Sequence, residues 1–67
     1  MSTDLIALRR TLDQATAVYQ GFLQQNVAGL SVEERVELDL AAARAFEVFY
    51  QADRAYRTAI AGAAGAL

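Results

Sequence analysis

Four carboxylates, Glu33, Glu34, Glu37 and Asp39, crowd into the seven residues from 33 to 39. Carboxylates at this spacing could hold a hard cation or pass a proton. Glu33 and Glu37 lie four apart and so share one face of a helix. Nothing nearby completes either chemistry. The chain has no His, no Cys and no Lys. The imidazole ligands of zinc and iron sites, a thiolate nucleophile and a Schiff-base amine are therefore missing. The Glu-x-x-His pair of helical di-iron proteins cannot be built. Ser31 has a different use. In Ser31-Val32-Glu33-Glu34 its hydroxyl can accept from the Glu34 amide while the Glu34 carboxylate accepts from the Ser31 amide, which is a capping box. The acids then read as the solvated start of a helix, where they suit the positive end of its dipole. The sequence assigns no catalytic, cofactor-binding or metal-binding residue, and the protein is expected not to be an enzyme.

Arginine is the only cationic side chain, six copies against eight acids, for a net charge of −2. Arg9 and Arg10 are adjacent, and Arg54 and Arg57 lie one turn apart with Asp53 four residues before Arg57. The balance gives no basic footprint for nucleic acid and no polybasic patch for anionic lipid. Nucleic acid is thus an unfavoured partner. Arg9, Arg10, Arg54, Arg57, Glu33 and Glu37 are the charged candidates for surface contact. Each arginine is a planar fork suited to carboxylates.

These side chains must be carried by helices. Leu5, Leu8, Leu12, Ala15, Tyr19 and Phe22 recur in steps of three and four, as do Leu38, Ala42, Ala45, Phe49, Ala52, Tyr56 and Ala59. Such spacing lines one face of an amphipathic helix. Between the stripes lies Ala28-Gly29-Leu30-Ser31, a helix stop followed by a start. The pattern predicts helix one over about 3–27, capped by Ser2 or Thr3 and ended by a left-handed Gly29. It predicts helix two over about 32–61, ended at Gly62. A short loop makes them antiparallel neighbours. The expected architecture is all-α: one helical hairpin over 1–61 with a flexible tail at 62–67. Met1-Ser2-Thr3-Asp4 lacks the basic start of a signal peptide, and no run of eighteen apolar residues occurs. A cytoplasmic protein without a membrane span is the resulting expectation.

Two helices alone do not enclose a core. At 67 residues, chain entropy nearly cancels the gain from apolar burial, and small domains turn to disulfides, metals or oligomers. Without Cys or His, oligomerisation remains. Helix two also carries more apolar residues than one seam requires: Val36, Ala43, Phe46 and Tyr50 beside the main stripe, Ala41, Val48 and Ala55 on the opposite flank. A helix in a four-helix bundle buries more than one stripe because it meets more than one neighbour. The hairpin is therefore expected to dimerise into a four-helix bundle. Candidate interface residues are Val36, Phe46, Phe49, Tyr50, Tyr56, Tyr19 and Phe22, with Phe46, Phe49, Tyr50 and Tyr56 in one aromatic cluster across the dimer axis.

The segment Leu5-Ile6-Ala7-Leu8-Arg9-Arg10-Thr11-Leu12-Asp13 resembles the opening of the all-helical chorismate mutases. The resemblance spans about nine residues. The chain departs from that family further on, lacking both the active-site Lys and a third helix, so the likeness implies no mutase activity.

The leading functional expectation is a non-enzymatic helical interaction module, a homodimer that binds or regulates another protein. An inhibitor encoded by a phage or mobile element, or an accessory subunit, would fit that size and class. An alternative is RNA binding by a hairpin dimer similar in architecture to the Rop-type regulators of plasmid copy number. It would require Arg9, Arg10, Arg54 and Arg57 to gather on one face. A further alternative is an acidic mimic in which Glu33, Glu34, Glu37 and Asp39 occupy a nucleic-acid-binding protein.

Overall fold

The computed structural model describes residues 3–65. The fold is all-α. Helix α1 spans Thr3–Leu23 and helix α2 spans Val32–Gly65, packed against each other as a hairpin. Ser2, one of the expected caps of α1, and the last two residues of the expected tail lie outside the described residues. No helix of the described residues is long and apolar enough to cross a membrane.

Each helix ends for a local reason, and two ends differ from expectation. α1 stops at Leu23, four residues short of the expected Val27. Beyond it the chain tightens: the Gln24 amide donates to the Gln20 carbonyl at 3.1 Å and the Gln25 amide to the Phe22 carbonyl at 3.3 Å. Asn26 then accepts from the Ala28 amide through its side-chain oxygen at 3.0 Å, the local bond by which Asn competes with helix. Gly29 does take the left-handed conformation, with φ 87°. However, it serves the turn Val27–Leu30, closed by a 3.3 Å bond from the Leu30 amide to the Val27 carbonyl, and not the cap of α1. A positive φ at the third position is what a type II turn requires, and glycine meets it without strain.

α2 begins on the capping box. The Glu34 amide donates to the Ser31 hydroxyl oxygen and the Ser31 amide donates to the Glu34 carboxylate, both at 3.1 Å. The Ser31 amide, and after it the Ser31 hydroxyl, hold the Glu34 carboxyl below its ordinary range. At the far end α2 passes through Gly62 to Gly65, about one turn beyond the expected stop. Alanine is the strongest helix former, and Ala59, Ala61, Ala63 and Ala64 carry the helix past one glycine.

The seam is thin. Among the described residues only Leu12, Ala15 and Ala45 are buried, Leu12 at 7 % exposure. Leu5, Leu8, Tyr19, Phe22, Leu38, Phe49, Ala52, Tyr56 and Ala59 are half-buried along it. These are the predicted stripes, so the facing sides of both helices agree with the heptad reading. The molecule measures 54 × 13 × 12 Å with a radius of gyration of 15.8 Å. A compact chain of this length would have a radius near 11 Å. The hairpin is a rod with two long flanks.

Candidate interaction surface

The flanks are set by helical geometry. Turning about 100° per residue from Ala45 places Phe46, Tyr50, Asp39 and Asp53 to one side of α2 and Ala41, Arg44 and Val48 to the other. On α1 the same count from Leu12 separates Arg9 and Asp13 from Thr11, Val18 and Phe22.

The first flank is aromatic and charged. Tyr19 of α1 meets Phe46 at 5.4 Å between ring centroids, tilted by 60°, and Phe49 at 5.8 Å, nearly parallel. Phe46 continues to Phe49 at 6.3 Å and to Tyr50 at 6.4 Å. Within the one chain Phe46, Phe49 and Tyr50 meet, and Tyr19 joins them from α1. Tyr56 makes a different contact. The Tyr56 ring lies under the Arg9 guanidinium at 5.5 Å, a cation–π contact. Phe46 and Tyr50 keep 45 % and 51 % of their surface exposed. Val36 is exposed as well, whereas Tyr19, Phe22, Phe49 and Tyr56 are half-buried in the seam.

Three ion pairs accompany this flank, each between residues four apart. Arg9–Asp13 and Arg35–Asp39 close at 3.1 Å and Arg57–Asp53 at 2.9 Å. The Asp53–Arg57 spacing gave that pair away in the sequence. The other two carry the same i,i+4 signal in the reverse order, which is weaker in an isolated helix. All are solvent-washed and contribute at most about 0.5 kcal/mol each. Their consequence is mainly electrostatic. Of the four arginines proposed for surface contact, Arg9 and Arg57 are engaged by carboxylates of their own helix, while Arg10 and Arg54 have no ion-pair partner among the described residues. Arg9 and Arg10 do come together with Tyr56, Leu5, Ile6 and Ile60 around a shallow hollow of about 310 Å³. Glu33 and Glu37 are exposed and have no ion-pair partner among the described residues. No group of three or more Asp, Glu, His or Cys able to hold a metal ion occurs among the described residues.

The second flank is an apolar groove. Ala15, Ala41 and Ala45 form its floor, with Val18 and Phe22 along one wall and Val48 along the other; its volume is about 440 Å³. Thr11, Gln14 and Arg44 mark its edge. Val18 and Val48 are each 57 % exposed. Thr11 turns its hydroxyl back to the Ala7 carbonyl at 3.1 Å and offers no donor to the groove. Arg44 is without an ion-pair partner among the described residues. Sequence reasoning placed Val48 and Ala41 as widening residues but did not single out this groove. The signal was Ala41 and Val48 beside Ala45 of the main stripe.

Compared with models of known families, with curated proteins and with solved structures, the chain returns no match. The nine-residue likeness to the chorismate mutases stands without support from those comparisons.

Proposed function

We propose that this chain is a non-enzymatic helical interaction module, a hairpin that associates with a second copy into a four-helix bundle and through it binds or regulates a larger protein. One observation carries the reading. The chain exposes 5292 Å² to solvent, while a compact monomer of 7.2 kDa would expose about 4,100 Å². The excess, roughly 1,200 Å², exceeds the area one partner contributes to a standard protein–protein interface, about 800 Å². Large apolar side chains contribute to the exposed surface: Ile6, Val18, Leu23, Val36, Leu40, Phe46, Val48, Tyr50 and Ile60 all remain more than two-fifths exposed. Exposed apolar patches beyond a few hundred Å² mark interaction sites.

Sedimentation equilibrium of the purified chain tests the first half of the reading, with a dimer expected at micromolar concentration. Affinity capture with the intact dimer from the native host tests the second. A single protein retained at stoichiometric level supports a regulatory partner, and retention of RNA instead would replace this reading by nucleic-acid binding.

A further inference from the structure

The two flanks are unequal as surfaces for a second copy, and charge along the rod distinguishes its two ends. The aromatic flank carries Arg9–Asp13, Arg35–Asp39 and Arg57–Asp53 beside its rings, so a copy laid there would desolvate charges already satisfied in the monomer. None of those three ion pairs lies on the groove flank, whose floor and walls are apolar, with Thr11, Gln14 and Arg44 at the edge. A flank 54 Å long and 13 Å wide offers about 700 Å² before side chains widen it, close to the roughly 800 Å² each partner gives to a stable interface. Only full-length overlap uses that area. The half of the rod nearer the loop, 20–47, holds Glu33, Glu34, Glu37, Asp39 and Glu47 against Arg35 and Arg44, a net charge of −3. The other half holds Arg9, Arg10, Arg54 and Arg57 against Asp4, Asp13 and Asp53, a net charge of +1. Stacking loop on loop opposes −3 to −3. Turning one copy end for end sets the half of net charge −3 over the half of net charge +1 in both places, a preference carried by long-range charge, since Arg9, Arg10, Arg54 and Arg57 lie off the groove flank itself. It also satisfies the self-complementarity that a two-fold interface requires.

We infer that the flank built from Ala15, Val18, Ala41, Ala45 and Val48 is the self-association surface, and that the second copy lies along it end for end. The inference rests on the self-association proposed above and adds its face and its orientation. The aromatic flank, with Phe46 and Tyr50, then stays outside the bundle seam.

The face is tested by charge insertion at exposed positions, read by sedimentation equilibrium. Val18→Glu and Val48→Lys each bury a charge twice in the dimer, the lysine four residues from the like charge of Arg44, and are expected to weaken it by about a hundredfold or more. Tyr50→Glu on the other flank is expected to change the dimerisation constant less than about threefold, as for a surface site. Helicity measured against protein concentration separates a weakened dimer, which recovers its helix on concentration, from a chain that cannot fold. Orientation is tested without a destabilising change. The chain has no Cys, so Ala28→Cys in the loop takes one spin label per copy. The end-for-end dimer places the two labels apart by a distance approaching the 54 Å length of the rod. A label distance of roughly one bundle width, about 20 Å on the scale of two helix diameters, overturns the orientation. Dissociation by Tyr50→Glu with Val18→Glu and Val48→Lys unaffected overturns the face and leaves self-association standing. A monomeric parent chain overturns both.

Discussion

The groove flank and the aromatic flank share one seam and differ in how each has dealt with its exposed atoms. On the aromatic flank the chain has answered itself. Rings from both helices touch, and neighbouring guanidinium and carboxylate groups pair within one helix. On the groove flank small side chains leave a hollow, valines stand more than half exposed, and Arg44 at the edge has no ion-pair partner among the described residues. The lesson is that exposed apolar surface can mean two things. Where it is ringed by satisfied charges it tolerates water, and where it is concave with an apolar floor it is an unfinished core.

The comparison is broken most severely at the seam both flanks depend on. Leu12→Ala should cost about 3 kcal/mol, since it empties the best-buried large side chain. Urea unfolding followed by circular dichroism gives the number, and a cost under about 1 kcal/mol would mean that the helices are not held along this stripe. Phe49→Ala should cost slightly less, about 2–3 kcal/mol, because the ring is half-buried but stacks on Tyr19 and meets Phe46. A neutral result would show that the aromatic flank is not tied to the seam at all. Ser31→Ala touches neither flank and should cost about 1 kcal/mol through the lost cap. Gly21→Ala should stabilise by about 0.5–1 kcal/mol, because an added methyl meets nothing within 4 Å in the hairpin. A loss of dimer in that variant would instead mean that a second chain passes close to Gly21. The smallest effect concerns pH. The Glu34 carboxyl titrates below its ordinary range when folded, so its stabilising share is complete above the unfolded value and is lost as pH falls through the folded one. A carbon-detected NMR titration should place its midpoint low, and Ser31→Ala should raise it only partway because the backbone amide remains.

The sequence disclosed what depends on neighbours in the chain. The capping box was legible in Ser31-Val32-Glu33-Glu34 because both bonds span three residues. The two stripes were legible because helical period alone puts Leu12, Ala15 and Ala45 on facing sides. The ends of the helices were less so. Asn26 and the turn at Gly29 end α1 earlier than its apolar period suggests, and the alanines after Gly62 prolong α2. Tyr19 in the aromatic cluster was hidden for another reason: period fixes which residues share a face on one helix, and contact across the hairpin depends on how the second helix is set along the first. The division into a paired flank and a hollow one needed the side chains in place, since the same arginines could have turned either way.

Sedimentation equilibrium of the unmodified chain across the micromolar range decides whether the hollow flank is a missing half of a core. The expected result is a species of twice the 7.2 kDa chain mass that dissociates on dilution with loss of helicity. A 7.2 kDa particle that melts cooperatively at a temperature independent of concentration would contradict it.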